Sequence, residues 1–199
     1  MSKLLDQIFA KPDGETLIEH TDWVIGRWQL LRDRYASTME MPDDFWRHSY
    51  WSALFHDFGK VCGNFQDSVR HRPGWKERRL RHEFLSGNFM LLANAPEFLK
   101  KQPLGVFAVF SHHKPLTDEL FQADGRQNLV LHPNEFIAIQ AIFEEKSRAM
   151  GFPFSINPAG ALAFGKGTCT GFYQQFDKFC NTLMPGFSVT HRRDYIFYK

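Results

Sequence analysis

Residues 54–66 read LFHDFGKVCGNFQ and place a histidine, an aspartate and a lysine at the end of an apolar segment. The segment follows Pro42, and its apolar residues recur at helical spacing, which predicts a helix over residues 43–58 with Asp43 or Asp44 at the N-cap. Gly59 and Gly63 are expected to end or bend this helix. An imidazole beside a carboxylate at this position is costly to bury unless the two share a partner.

Helical periodicity recurs on both sides of this segment. The other predicted helices cover residues 15–35, 77–95, 103–113, 133–150, 171–183 and 188–199. The run at 103–113 would also suit a buried strand, but Pro103 in its first turn favours a helix. Residues 151–170 are rich in Gly and Pro and predict a long loop. Because alternating strand patterns with paired turn signals are absent, the predicted fold class is all-α.

Composition bounds the class of protein. The chain has 199 residues, of which 16% are aromatic and 21 are Phe, so it can form one domain with a substantial core. The net charge of +2 does not identify a nucleic-acid binder, and any basic footprint must be local. No apolar run approaches the length of about 18 residues that a membrane span needs.

The expected location is the cytoplasm. The three cysteines show no metal-type spacing, their number is odd, and the N-terminus is too short and too charged for a signal peptide. A monomer is the default expectation, since no coiled-coil heptads occur.

The placement of the histidines is the most informative feature. His56 and Asp57, and the pair His112 and His113, fall at the ends of apolar helices, and His20 and His82 lie in two further helices. His20 or His82 taken singly would be an ordinary core or rim residue. Several buried imidazoles and a carboxylate together favour a shared metal ion, which removes the cost of burial.

The chemistry of these side chains restricts which metal ions suit the site. Adjacent helical residues point about 100° apart, so His56 and Asp57 can face two neighbouring ions with the carboxylate as the bridge. An imidazole-rich site suits Mn, Fe, Co, Ni or Zn better than Ca or Mg alone, and Mg stays possible.

The order of these motifs resembles the HD superfamily of metal-dependent phosphohydrolases. More closely, it is similar to the HD nuclease domain of the CRISPR type I effector nuclease-helicase. The likeness rests on LxxHxxxV around His20, HDFGK followed by Phe65-Gln66, a helical His82, and SHH at residues 111–113. It covers roughly residues 15–115 and implies an HD-domain helical bundle with a metal site between its central helices.

The resemblance also implies the roles of individual residues. His20, His56 and Asp57 would hold one ion, and Asp57, His82, His112 and His113 would hold the other. Lys60 would face the scissile phosphate, so the catalytic residues would be His56, Asp57 and Lys60. Two divalent ions would generate hydroxide and neutralise charge on the phosphate.

The implied activity is endonuclease- or exonuclease-type hydrolysis of single-stranded DNA in antiviral defence. In the family, a helicase module feeds the strand to the nuclease, and a guide-RNA surveillance complex delivers both to the target. These 199 residues hold no helicase motif, so the module would act in cis or in trans.

One departure from the family concerns a late aspartate that completes the shell of the first ion. After Asp124 only Asp177 and Asp194 remain, and neither is followed by the expected small residue and serine. Both are more typical of surface carboxylates. We expect residues 1–199 to be a single HD nuclease domain cut short before the helix that carries this aspartate and before a helicase module. The alternative is a stand-alone HD subunit with a divergent ligand.

Residues 70–81, RHRPGWKERRLR, form a local basic segment between the HD motif and His82, with six Lys or Arg against one Glu. Cations with an exposed aromatic ring suit single-stranded nucleic acid. The candidate nucleic-acid-binding residues are Arg70, Arg72, Trp75, Lys76, Arg78 and Arg79. The alternative is a solvated loop and helix face.

Two other functions stay open at this point. An HD phosphohydrolase acting on a nucleotide or cyclic nucleotide would use the same ligands in a closed pocket, although Phe65-Gln66 and the basic segment speak against it. A catalytically inactive HD module that binds nucleic acid or a partner is motivated by the missing late aspartate.

Overall fold

The structure is a computed structural model that describes residues 7–41, 44–77, 80–93, 104–113, 126–157, 160 and 168–183. These residues form helices joined by turns and loops, and none of them lies in a β-strand. The predicted all-α class is therefore confirmed. The helices are α1 (Leu17–Tyr35), α2 (Phe45–Phe55), a 3-10 helix (Phe58–Val61), α3 (Gly63–Val69), α4 (His82–Leu92), α5 (Leu104–Ser111), α6 (Pro133–Ala149) and α7 (Thr170–Leu183).

Local signals set the bounds of α1 and α6 close to the prediction. Thr16 and Glu19 form a capping box at the start of α1, in which each side chain accepts a hydrogen bond from the other residue's backbone. Pro133 occupies the first turn of α6, where its missing N–H is not needed. Gly151 follows α6 with φ of 77°, a conformation that glycine adopts without steric cost.

The predicted helix over 43–58 is wrong in its last turn. α2 ends at Phe55, and a 3-10 helix and then α3, which was not predicted, follow it. Gly59 does not end a helix. It packs the 3-10 helix against α4 so closely that a Cβ atom there would lie 2.3 Å from the backbone oxygen of His82. Gly63 opens α3, and its N–H donates to the oxygen of Val130 at 2.7 Å.

Other boundaries shift or lie outside the described ranges. Asp44 takes the N-cap position of α2, but its side chain makes no capping bond and pairs with Arg47 instead. The helix predicted over 77–95 begins only at His82. Asp43 and the predicted helix over 188–199 lie outside the described residues, as do residues 158–159 and 161–167 of the predicted 151–170 loop.

The core is built from phenylalanine rings around the 3-10 helix. Phe58 is fully buried, and its ring centroid lies 5.1–5.6 Å from those of Phe55, Phe89, Phe136 and Phe143. These aromatic neighbours come from α2, α4 and α6, so the 3-10 helix is fixed from several sides. The residues on either side of Phe58 are thereby held in place.

The packing of the central helices brings their histidine-bearing ends together. α4 packs against both the 3-10 helix and α5, while α2 packs against α1 and α5. The contact between α4 and α5 is close at Gly87, where a Cβ atom would lie 2.6 Å from the ring of Phe110. In the part of the chain that the structure describes, no helix is both long and apolar enough to cross a membrane.

Candidate metal centre

The six histidine and aspartate residues singled out in the sequence converge at one place. Two groups of potential ligand atoms form there, and within each group all atoms lie within 4.8 Å of one another. The members are His20, His56 and Asp57 in one group, and Asp57, His82, His112 and His113 in the other. Asp57 belongs to both groups. The structure thus brings together the two sets that the sequence resemblance implied, in an arrangement that could hold a metal ion.

One oxygen of Asp57 faces the first group. Its Oδ2 atom lies 2.9 Å from Nε2 of His20, 3.2 Å from Nε2 of His56 and 2.7 Å from Nζ of Lys60. Asp57 and Lys60 are 2% and 6% exposed, so water screens this charge cluster weakly. His20 comes from the start of α1, whereas the other three residues follow directly from the end of α2.

The other oxygen of Asp57 faces the second group. Its Oδ1 atom lies 3.0 Å from Nε2 of His82 at the start of α4, and 3.4 Å from Nε2 of His112 just after α5. The His113 ring is exposed and stands 4.1 Å from that of His112 and 4.9 Å from that of His82. Each carboxylate oxygen therefore has its own set of imidazoles, as a bridging ligand requires.

Backbone carbonyls fix the tautomers of two of these imidazoles. Nδ1 of His56 lies 2.7 Å from the oxygen of Ala53, and Nδ1 of His112 lies 2.7 Å from the oxygen of Val109. Because a carbonyl only accepts hydrogen bonds, Nδ1 carries the proton in both rings. In the neutral ring, Nε2 is then the nitrogen whose lone pair faces the site, which is the form that ligates metals.

Three buried atoms at the centre lack conventional partners. Oδ1 of Asp57, Nε2 of His82 and Nε2 of His112 approach one another, but the contacts do not have hydrogen-bond geometry. No other atom in the described ranges supplies a hydrogen bond to any of the three. Orphaned buried polar atoms are costly, and a divalent cation that accepts a lone pair from each would remove the cost. The residues therefore fit a metal ion, and the imidazole majority suits a transition metal.

The electrostatics of Asp57 favour its ionised form. Burial by itself raises the pKa of this carboxyl, but the imidazoles of His112, His20, His56 and His82 outweigh burial and hold the pKa well below its usual range. A carboxylate that stays ionised keeps both oxygens available as ligands.

The pKa values of three surrounding histidines shift in different directions. Burial lowers the pKa of His82, and burial together with His112 and His82 lowers the pKa of His113 to about 4. Both rings are therefore neutral near pH 7 and ready to ligate. The Asp57 carboxylate raises the pKa of His20 against the opposing effect of burial, and Glu15 adds to the rise.

Residues near the centre have supporting contacts that the sequence did not indicate. The amide of Gln66 donates to the oxygen atoms of Lys60 and Phe9, at 2.7 and 2.9 Å, and so ties the N-terminal segment to the 3-10 helix. Nδ1 of His20 lies 3.0 Å from Oε1 of Glu15. Their spacing of five residues is not one that pairs side chains on a helix, so no signal in the sequence indicates this contact.

The basic segment is partly engaged in contacts within the chain. Arg70 donates to the oxygen of Gln7, and Arg72 pairs with Asp67 at 3.1 Å. Trp75 is half-buried, and the Lys76 ammonium lies 5.8 Å from the centre of its ring. Arg78 and Arg79 lie outside the described residues.

Asp177, one of the two candidates for a late aspartate ligand, does not join the site. Asp177 lies on α7, accepts a hydrogen bond from the amide of Asn181 at 3.0 Å and belongs to neither ligand group. Asp194 lies outside the described residues. The first group therefore has three ligand residues among those that the structure describes, and the second has four.

Comparisons with protein-family models, with curated proteins and with solved structures find no match. What the centre can do chemically therefore follows from its own residues. Two ligand sets joined by one carboxylate could hold one or two divalent cations, with the lysine ammonium beside them.

Proposed function

We propose that this chain is a metal-dependent HD nuclease that hydrolyses phosphodiester bonds of single-stranded DNA. The observation that carries the proposal is Asp57, whose two oxygens face two different sets of imidazoles, with buried orphaned atoms in the second set. When bound, divalent ions at such a centre supply Lewis-acid activation of water and of the phosphate.

Different residues of the chain would hold the metal ions and contact the phosphate. His20, His56 and Asp57 would hold one ion, and the second set would hold the other through Asp57. Lys60 supplies a buried ammonium beside the carboxylate, where it would pair with a phosphate oxygen of the substrate. The preset tautomers at His56 and His112 keep the ligand atoms aimed inward without any rearrangement.

The wider assignment follows the order of the sequence motifs. This order of motifs supports membership of the HD superfamily and an activity in CRISPR type I interference. The protein would act in the cytoplasm. A helicase module in cis or in trans would deliver the strand, together with a guide-RNA surveillance complex. Mn, Ni, Co, Fe or Zn would occupy the centre, with Mg as a weaker alternative.

Metal content and cleavage of single-stranded DNA, measured on the same sample, test this proposal. The wild-type protein is compared with Asp57→Asn, which keeps the side-chain volume, and with Asp177→Asn, a carboxamide change outside both ligand groups. Mn, Ni and Mg are added in separate reactions. We expect bound metal and cleavage in the wild type and in Asp177→Asn, and the loss of both in Asp57→Asn. Absence of cleavage by the wild type with every metal would contradict the proposal.

A second candidate is an HD module that binds nucleic acid without hydrolysing it. The three-residue first group favours this reading, because an ion held by fewer protein ligands binds less tightly. Metal-independent DNA binding, together with no turnover of the small diester bis(p-nitrophenyl) phosphate, would select it. Turnover of nucleotides without action on DNA would instead select an HD phosphohydrolase of small substrates.

A further inference from the structure

Helix α1 exposes an unusual set of apolar side chains. Trp23, Leu30 and Leu31 are 59%, 63% and 54% exposed, and Arg27 and Arg34 on the same helix are exposed as well. We call these five residues the α1 stripe. Large exposed apolar side chains grouped on one helix face, with cations among them, are typical of a binding surface.

The α1 stripe starts beside the metal centre. Residues three and four apart are neighbours on a helix surface, and the steps from His20 to Trp23, Arg27, Leu30 and Arg34 are all of this size. From Trp23 to Arg34 the stripe runs along about 17 Å of helix. One face of α1 thus connects a ligand of the candidate metal centre with a line of exposed side chains.

The chemistry of the α1 stripe combines rings with cations. The Arg27 guanidinium lies 5.2 Å from the centre of the Trp23 ring, and the Arg34 guanidinium lies 5.6 Å from that of Tyr35. Such a ring offers a face for a nucleobase, and the guanidinium beside it offers a partner for a phosphate. Leu30 and Leu31 add apolar contact between the two cations.

Acidic groups on α1 do not cancel this charge. Asp22 and Asp33 pair with other cations, Lys146 and Arg32, and Glu19 lies in the first turn, where it caps the helix with Thr16. Arg27 and Arg34 therefore remain as the cations along the stripe, and their charge is complementary to a polyanion.

We infer that the α1 stripe is the track on which a single-stranded DNA substrate lies as it enters the metal centre. The inference rests on the proposed function. It differs from the expectation drawn from the sequence, which placed the DNA contacts at residues 70–81. Arginine and aromatic side chains are also enriched at protein–protein interfaces, so composition alone does not choose between a strand and a protein partner. The charge and the continuity with His20 favour the strand.

The test compares two matched double variants of the full chain. Trp23→Ala/Arg27→Gln removes one ring and one cation from the α1 stripe. Ile137→Ala/Arg148→Gln removes one exposed apolar side chain and one exposed cation from α6. Both residues lie on the side of α6 opposite to Lys146, which pairs with Asp22 of α1. Fluorescence anisotropy with a labelled oligothymidylate of about 15 nucleotides gives the Kd. The measurement is made in EDTA at several salt concentrations, so that hydrolysis plays no part.

We expect the stripe variant to bind about tenfold more weakly than the wild type, since a stacked base and a phosphate contact are both lost. Its plot of log affinity against log salt should be less steep by about 0.7, the value for one phosphate contact on a single strand. The α6 variant should match the wild type in both respects. Melting temperatures within the error of the wild type establish that both variants are folded.

Three results would overturn the inference: equal affinities of the two variants, no binding by the wild type, or a loss of self-association in the stripe variant without a change in DNA affinity. The last would assign the stripe to a contact between two copies of the chain. Hydrolysis of bis(p-nitrophenyl) phosphate by the wild type with Mn checks the metal centre separately. If that hydrolysis occurs and the stripe variant binds normally, only the track fails. If it is absent but the stripe variant loses binding, the nuclease fails and the stripe remains a DNA-binding surface.

Discussion

Oε1 of Glu15 lies 3.0 Å from Nδ1 of His20. On the opposite side of the same imidazole, Nε2 lies 2.9 Å from Oδ2 of Asp57. The ring is thus held between two carboxylates. The Lys11 ammonium pairs with Glu15 and holds the pKa of this glutamate below its usual value, so the glutamate stays ionised. An ionised carboxylate on the outer nitrogen orients a ligating imidazole and raises its basicity.

Glu15→Gln should therefore weaken metal binding without removing a ligand. We expect about a tenfold loss in affinity for Mn or Zn, at the low end of the range for such supporting groups. Calorimetric titration of the protein with each metal measures the change. Glu145→Gln, an exposed carboxylate on α6, is the control and should bind as the wild type does. Equal affinity in the two variants would show that the contact with His20 does not support the ligand.

The close approach at Gly59 gives a second prediction. A Cβ atom there would lie 2.3 Å from the backbone oxygen of His82 and 2.8 Å from Cβ of Leu85. Gly59→Ala should push α4 away from the 3-10 helix and lower the free energy of unfolding by about 1–3 kcal/mol. Because His82 starts α4, the variant should also bind metal more weakly than the wild type.

A matched glycine on α1 separates packing from helix propensity. Gly26 has no described atom within 4 Å of its ideal Cβ position. Gly26→Ala should raise the free energy of unfolding by about 0.5–1 kcal/mol, since alanine loses less backbone entropy in a helix. Urea denaturation measures both variants. Unchanged stability of Gly59→Ala would mean that the 3-10 helix yields to the methyl group.

Capping and periodicity made most helices predictable from the sequence. Thr16 and Pro133 are local signals, and they act within one turn of the residues they fix. α3 and the 3-10 helix were missed because their geometry depends on distant residues. The Asn64 side chain donates a hydrogen bond to the oxygen of Asn128 and accepts one from the N–H of Val130. No sequence pattern around residue 64 indicates those partners.

The candidate metal centre was predictable to the level of the six residues that converge there. Histidines at apolar helix ends are unusual enough to be noticed, and helix packing then brings those ends together. The supporting contacts were not predictable, because the partner of His20 depends on the rotation of its ring, which only the folded chain defines. The same holds for the α1 stripe: its exposure follows from which face of α1 packs against α2.

Tyr50 gives a prediction about core polarity. Its side chain is fully buried, and the ring centroid lies 5.0 Å from that of Trp28 and 5.6 Å from that of Phe152. Among the described residues, none forms a hydrogen bond with the hydroxyl. Tyr50→Phe keeps the ring and should raise the free energy of unfolding by about 1 kcal/mol. Thermal melts measure it against Tyr35→Phe, an exposed tyrosine that should show no change.

The same tyrosine predicts a pH dependence. Burial raises the pKa of Tyr50 to about 12, from an ordinary value near 10. A raised folded-state pKa contributes stability that is fully present below about pH 10 and is lost as the pH rises through 12. Between pH 10 and pH 12, the free energy of unfolding of the wild type should therefore fall by up to about 2–3 kcal/mol more than that of Tyr50→Phe. If the melting temperatures of the two proteins changed equally from pH 9 to pH 12, the result would contradict the burial of this hydroxyl.

The cysteines give a last prediction, on thiol reactivity. Cys62, Cys169 and Cys180 are all buried, and burial raises the pKa of the Cys62 thiol well above its usual value, with Cys169 adding to the rise. The thiolate is the reactive form, so native protein should react with Ellman's reagent only when it opens. We expect reaction at least about a hundredfold slower than that of Ser37→Cys, whose new thiol is exposed, since opening a core costs several kcal/mol. In urea all thiols should react rapidly. Rapid reaction of the native wild type would place at least one cysteine outside the core.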